Sequence, residues 1–260
     1  MKKSIKNLSD EIEKELYRQG ATHFVQADLS PLRKQGSPLV QQSYHNSIVE
    51  HYPYAISIGI GLSMGIVRLL PDLETHSISQ TYHYHCYTVI NPRLDVLALW
   101  TATTLQNAGY NAIPLPSSQY RFKDFSDTLR AVFPHKTAAH LGGMGWIGKN
   151  CLLITKDCGA ALRLVTVLTD APLKTGKPMK SLCGDCSRCV DTCPAKAIKG
   201  AEFDPAADRD ERIDVWKCDD FRSKREAKMG NRSCGLCIYH CPFSLQNLGN
   251  VQTKPKINRY

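Results

Sequence analysis

Eight of the eleven cysteines crowd into the stretch from Cys183 to Cys241, and what their sulfurs hold constrains every choice of fold for this chain. The first run, Cys183-Gly-Asp-Cys186-Ser-Arg-Cys189-Val-Asp-Thr-Cys193-Pro194, has the spacing C-x2-C-x2-C-x3-C-P. The second, Cys234-Gly-Leu-Cys237-Ile-Tyr-His-Cys241-Pro242, is one cysteine short, and Cys218 upstream supplies the missing thiol. Two-residue gaps let a tight turn aim three sulfurs at one small volume while the fourth cysteine points away to a second cluster. Crossing the ligands uses every sulfur once: Cys183, Cys186, Cys189 and Cys241 for cluster 1, and Cys193, Cys218, Cys234 and Cys237 for cluster 2. A pair of zinc sites is the alternative. Three cysteines at two-residue spacing, with Cys-Pro closing both runs, favour two [4Fe-4S] clusters. His240 reads as a packing residue, because eight thiols already fill both sites.

The remainder is globular in composition, with 42% hydrophobic and 22% charged residues, which excludes a disordered or fibrous chain. No stretch has the ~18 uninterrupted apolar residues of a membrane span, and the polar N-terminus is unlike a secretory signal. The expectation is a cytoplasmic protein with no membrane partner, whose clustered cysteines bind metal instead of forming disulfides. Lys plus Arg outnumber Asp plus Glu by 33 to 24, a formal charge of +9. Such a surface suits RNA or a phosphorylated ligand, or serves solubility alone. Arg222, Lys224, Arg225, Lys228 and Arg232 precede the second cysteine run. They either offset cluster charge or touch a phosphate backbone.

Apolar periodicity predicts helices over residues 5–19 and 94–108, closed by Gly20 and Gly109. Strands are predicted at 21–27, 55–62, 152–155 and 162–169. Residues 110–135 read as an irregular loop or lid carrying Asp124, Asp127 and Arg130. Pro and Gly punctuate residues 170–178, which read as a linker. The expected division is 1–173 as a first domain with its own core, 174–250 as a ferredoxin-like double-cluster domain, and 251–260 as a polar tail. Two clusters form a relay, and a relay delivers its electrons somewhere. The most informative segment ahead of them is Gly142-Gly143-Met144-Gly145-Trp146-Ile147-Gly148-Lys149-Asn150. Its glycines permit close backbone approach to a large flat ligand, with Trp146 stacking on it and Lys149 meeting a carbonyl or phosphate. Equally, it is a glycine-rich turn with Trp146 in the core.

With Gly143–Asn150, Leu168-Thr-Asp-Ala-Pro-Leu173, both cysteine runs and Cys218 on the page, the chain resembles the epoxyqueuosine reductase family from about residue 8 to 248. That family is cobalamin-dependent and acts in tRNA queuosine biosynthesis. The chain is more distantly similar to reductive dehalogenases. The resemblance implies an α+β, nitroreductase-like cobalamin-binding domain followed by a bacterial-ferredoxin-like double-cluster domain. It places Gly143, Gly145, Trp146, Gly148 and Lys149 at the cofactor. It implies an oxidoreductase that reduces epoxyqueuosine to queuosine in tRNA. Electrons would pass from a flavodoxin or ferredoxin-type donor through both clusters to cobalamin. Where the family carries Asp-Tyr-His with the Asp as proton donor, this chain has His83-Tyr84-His85. His83 is therefore the expected catalytic acid, since an imidazolium donates near neutral pH, and Tyr84 and His85 come next. The chain ends soon after the second run, so any hold on tRNA is expected from basic residues of the two domains. The alternative is an electron-transfer or reductive-activator protein that passes electrons to a partner's corrinoid. Cys86 and Cys151 read as buried small hydrophobes.

Overall fold

Two apolar strands organise the first part of the chain. In Tyr54–Gly61 and Leu162–Thr169, side chains alternate between faces, and both faces carry apolar residues, so the sheet needs a cover on each side. The computed structural model describes residues 4–33, 47–118 and 129–246. In chain order its main elements are α1 (Ile5–Arg18), β1 (His23–Asp28), β2 (Tyr54–Gly61), α2 (His76–His83), α3 (Asn91–Asn107), β3 (Ala112–Leu115), α4 (His135–Leu141), β4 (Trp146–Ile147), β5 (Leu153–Ile154), β6 (Leu162–Thr169) and α5 (Val215–Met229). The sheet runs β1-β2-β6-β3 and is antiparallel throughout, with Ile56 opposite Val167 and Ser57 opposite Thr166. β4 and β5 form a separate hairpin that pairs Trp146 with Ile154.

On one face, Ile56, Ile58, Val165 and Val167 pack with Leu8, Ile12 and Leu16 of α1 and Leu94, Leu97 and Leu105 of α3. On the other, Ala55 and Leu168 meet Ala138 and Leu141 of α4, together with Leu115 and Phe133. This is an α+β architecture with an antiparallel sheet between helices. Ser4 starts α1 by accepting a hydrogen bond from the Asn7 N–H at 3.3 Å.

Several elements differ from the periodicity reading. β3 lies within the stretch expected to be irregular. Pro114 obscured it, yet β3 is an edge strand pairing only with β6, where a missing N–H is tolerated. α2 runs through a seven-residue π-helical segment, Tyr84–Ile90, directly into α3, so α3 begins ahead of the expected residue 94. α5 was not foreseen, because its largely polar sequence shows no clear apolar stripe. Arg225 and Met229 are its buried residues. Asp124, Asp127 and the 251–260 tail lie outside the described residues.

The cysteine-rich segment packs directly onto the first part of the chain. Ile238 and Tyr239 pack against the α1/α3 core. Trp146, Ile154 and Cys241 share a smaller core with Phe243. The Ala160 N–H donates to Ser244 Oγ at 3.0 Å. Among the described residues no helix is long and apolar enough to cross a membrane.

Leu97 is wholly buried, whereas Leu99, two positions on, is 60% exposed. Leu97→Ala is expected to cost about 2–5 kcal/mol through the lost contacts and the cavity left behind. Leu99→Ala should stay within about 0.5 kcal/mol, with urea unfolding as the measurement.

Candidate iron–sulfur and cofactor site

Short turns bring the thiols together. Gly184 has φ +49, and the Cys186 N–H donates to the Cys183 carbonyl at 3.0 Å, closing the first loop. Two short helical turns, Arg188–Asp191 and Leu236–Tyr239, pack against each other. Gly235, with φ +85, opens the second of these turns, and a side chain there would run into the Tyr82 hydroxyl at 2.6 Å.

Cys183, Cys186, Cys189 and Cys241 line one pocket of about 370 Å³, part of it open to solvent, with Lys149, Asn150, Ile154, Pro242 and Phe243 as the other walls. Burial pushes the Cys189 thiol up to about 11, with Cys183, Cys241 and Cys186 adding to the effect. Cys193, Cys218 and Cys237 meet in a second apolar cluster. Burial raises the Cys234 thiol and Cys193 adds to this, which places Cys234 beside the same group. Burial raises the half-buried Cys237 thiol well above its usual value, and Cys234, Cys218, Cys189 and Cys193 add to the effect. Four thiols converge twice, and Cys189 and Cys237 link the two groups. A proton on each thiol relieves that crowding, and a metal cluster does so equally well. The donor set therefore suits two thiolate-bound clusters.

The basic residues ahead of Cys234 are engaged within the chain. Arg225, buried on α5, donates to the Ser233 carbonyl at 2.9 Å and the Leu73 carbonyl at 3.0 Å, and pairs with Glu74. Arg222 donates to the Arg232 carbonyl at 2.8 Å. Arg232 pairs with Asp219 and Glu226, Lys224 with Asp220, and Lys228 with Glu74. Arg225 and Arg222 also lower the Cys234 thiol against its burial. Arg222 and Arg225 thus follow the charge-offset reading, while Lys224, Lys228 and Arg232 are paired with carboxylates.

The glycine-rich segment begins at the end of α4. Gly143 has φ +82, and a Cβ there would meet the Lys177 carbonyl at 2.6 Å, so its freedom admits the chain's own backbone. Gly145 and Gly148 face Ile154 in the same way. Trp146 is 1% exposed and meets Phe243 edge-on at 4.8 Å, while its Nε1 is buried with no hydrogen-bond partner among the described residues. Lys149 Nζ donates to the Gly184 carbonyl at 2.5 Å and to the Cys186 carbonyl at 3.3 Å, so the carbonyls it meets belong to the first cysteine loop. Asn150 donates to the Cys237 carbonyl at 3.3 Å. Sequence reasoning passed over Asn150, and only its place at the end of the glycine run hinted at it.

Trp146 and Ile147 also wall a second pocket, of about 560 Å³ including its open part, with His140, Met179, Lys180, Ser181, Phe203 and Pro205. His140 Nδ1 lies 3.1 Å from the Gly145 carbonyl and its ring meets Phe203 edge-on. Behind Phe203, the Arg212 guanidinium is 4.8 Å from the ring centroid, wholly buried and without a hydrogen-bond partner among the described residues.

His83 closes α2 on the side of the second cysteine run, with Nδ1 3.0 Å from Ser233 Oγ. Its ring stacks on Tyr87 at 5.1 Å. Burial holds its pKa below the usual 6.5, with Glu226 opposing. Tyr84 is 56% exposed. His85 Nε2 accepts the Ser63 N–H at 2.9 Å, which commits that nitrogen as an acceptor. Neither His83 nor Tyr84 is among the described residues lining the two pockets beside the glycine-rich segment. Arg130 pairs with Asp208 at 3.0 Å. Cys86 and Cys151 are buried.

Residues 182–244 match a family model for a 4Fe-4S double cluster binding domain. The chain is 25% identical over 214 residues to an epoxyqueuosine reductase of Prochlorococcus marinus, covering 78% of this chain and 60% of that protein. It is 37% identical over 139 residues to one from Yersinia pestis, covering 49% of this chain and 31% of that protein. Among solved structures, a catabolic reductive dehalogenase superposes with a TM-score of 0.67 at 19% identity, over 91% of this chain and 32% of its own. An epoxyqueuosine reductase bound to a tRNA-Tyr epoxyqueuosine-modified stem loop superposes at 0.56 and 14% identity, over 93% of this chain and 66% of its own. A reductive dehalogenase described with a mechanism for B12-dependent dehalogenation gives 0.62 at 19% identity, over 90% of this chain and 31% of its own. The chain therefore resembles epoxyqueuosine reductases in sequence, and shares its fold with them and with reductive dehalogenases. It spans 28% to 60% of the length of the first curated relatives it matches.

Cys218 reaches its group from α5, outside both cysteine runs. Cys218→Ala is expected to lower iron after anaerobic reconstitution from about eight to about four per chain. Cys86→Ala should leave it unchanged, with iron and sulfide analysis as the check.

Proposed function

We propose that this chain is an oxidoreductase that uses two [4Fe-4S] clusters and cobalamin to reduce epoxyqueuosine to queuosine in tRNA. The observation that carries this reading is that one short segment contributes to two pockets, Lys149, Asn150 and Ile154 to the four-thiol pocket and Trp146 and Ile147 to the larger one. In this reading residues 1–173 hold the macrocycle and substrate, and residues 174–250 hold the clusters. The relatives' names supply the substrate, and the formal charge of +9 suits a polyanion such as tRNA. Electrons would come from a flavodoxin or ferredoxin-type donor.

The larger pocket fits cobalamin in its chemistry. Trp146, Ile147 and Phe203 offer apolar walls, and Lys180 and Ser181 offer polar ones. The orphaned Trp146 Nε1 is a buried donor that an acceptor on the ligand's rim would satisfy. Gly143, Gly145 and Gly148 keep the segment thin, and Lys149 ties it to the first cysteine loop. When bound, cobalamin supplies a strongly reducing centre for the substrate.

Removing an epoxide oxygen as water consumes two electrons and two protons. His83, which lines neither pocket, is our candidate for one proton on the family resemblance alone. With Nδ1 engaged by Ser233, Nε2 is the atom from which the proton passes, and Tyr84 beside it is the second candidate. Only the imidazolium donates. Because burial lowers the His83 pKa, turnover should be highest at acid pH and decline as pH rises through a value below 6.5. His83→Ala should lower turnover about 10²- to 10⁴-fold and remove that limb of the profile. An unchanged profile would remove His83 from the mechanism.

The deciding experiment adds cobalamin to the anaerobically purified, iron-loaded protein and follows its spectrum, then assays epoxyqueuosine-containing tRNA with a chemical reductant. A base-off shift with turnover is expected. A full iron complement with no cobalamin affinity would instead support the electron-transfer or reductive-activator reading.

A further inference from the structure

Three ligand-type side chains meet far from both cysteine groups in sequence. His23 opens β1, and Asp157 and Cys158 occupy the turn between β5 and β6. His23 Nε2 lies 2.9 Å from Asp157 Oδ2 and 3.9 Å from Cys158 Sγ, and one ligand atom from each residue lies within 4.8 Å of the other two. In a tetrahedral zinc site, bond lengths of about 2.0 to 2.3 Å place neighbouring ligand atoms about 3.3 to 3.6 Å apart, so small adjustments would close this set on an ion.

The protonation of the ring points the same way. Thr22 Oγ1 donates to the Gly59 carbonyl at 3.2 Å, accepts from the Gly61 N–H at 2.9 Å, and lies 2.7 Å from His23 Nδ1. A hydroxyl has one proton to give and two lone pairs. All three contacts are hydrogen bonds together only if Nδ1 carries the proton. In the neutral ring, Nε2 then presents a bare lone pair to the Asp157 carboxylate, and a cation must sit between them. That cation is a proton or a metal ion. A protonated ring would complete an ion pair with Asp157 without involving the thiol. Cys158 Sγ is nevertheless held at the same point by Thr155 Oγ1 at 3.1 Å.

The turn itself is fixed. Thr155 and Gly159 exchange backbone hydrogen bonds at 2.9 and 3.1 Å, which pinches residues 156–158 into a tip. The His23 side chain is 11% exposed and Asp157 is 66% exposed, so the ligands are anchored on one side and open to solvent on the other.

We propose that His23, Asp157 and Cys158 form a mononuclear metal site, separate from the clusters, that takes a zinc-class divalent cation with solvent in the fourth position. The mixed nitrogen, oxygen and sulfur donors suit zinc better than the oxygen-seeking magnesium or calcium. The Nδ1–H bond to Thr22 gives the ring the outer support that ligating histidines use. Binding transfers the Cys158 proton to solvent, and the ion joins the start of β1 to the turn ahead of β6.

The test uses the full chain, anaerobically isolated with its clusters loaded, so that the eight cluster thiols are occupied. Zn²⁺ is titrated against a chromophoric chelator, and iron is measured on the same samples. The expected result is about one zinc per chain bound by a shell containing one sulfur in zinc-edge X-ray absorption. Cys158→Ser and His23→Gln should weaken binding at least about tenfold with iron unchanged. Asp157→Asn, at an exposed position, should weaken it similarly and guards against misfolding as the cause. No zinc bound by the wild type, equal zinc in all three variants, or a four-sulfur shell would each overturn the proposal.

Discussion

Crowding of buried thiols governs this molecule. Two groups of four sulfurs are brought together and partly drawn out of water, and their neighbours raise the proton affinity of the Cys189 and Cys237 thiols. A buried cluster of ionisable groups is stable only if its charge is neutralised by protons, metal or nearby donors. The surrounding chain is arranged accordingly. Arg222 and Arg225 reach over from α5, and Lys149 and Asn150 anchor the loops through their carbonyls.

That demand explains why the cysteine-rich segment leans so heavily on the rest of the chain. Its short helical turns cannot bury enough apolar surface to stand alone. Ile238 and Tyr239 borrow the α1/α3 core, and Phe243 borrows Trp146. Arg225 ties α5 to Leu73, Glu74 and Ser79 in the first part of the chain. A site built across such contacts is fixed in geometry.

The glycine-rich segment shows how one stretch serves two pockets. Its glycines let β4, β5 and the Lys177 carbonyl approach closely. Lys149 and Asn150 line the four-thiol pocket, while Trp146 and Ile147 wall the larger pocket. The proposed function rests on that shared segment. The proposed zinc site depends on neither pocket, only on the pairing of β1 with β2 and on the turn ahead of β6.

The cysteine spacing by itself determined that eight thiols would act in two groups, because ligand separations within a tight turn are local geometry. Periodicity likewise determined α1, β2, β6 and most of α3, whose apolar patterns match a single secondary structure. Other features depended on contacts distant in sequence. β3 exists because β6 offers an edge to a proline-bearing strand. α5 has too polar a sequence to announce itself, and is held through Arg225 and Met229. The carbonyls that Lys149 meets, and the arrival of His23 beside Asp157 and Cys158, were decided only by the tertiary structure. Pairs more than thirty residues apart meet through sheet register and packing, and neither is written in any local stretch of the chain.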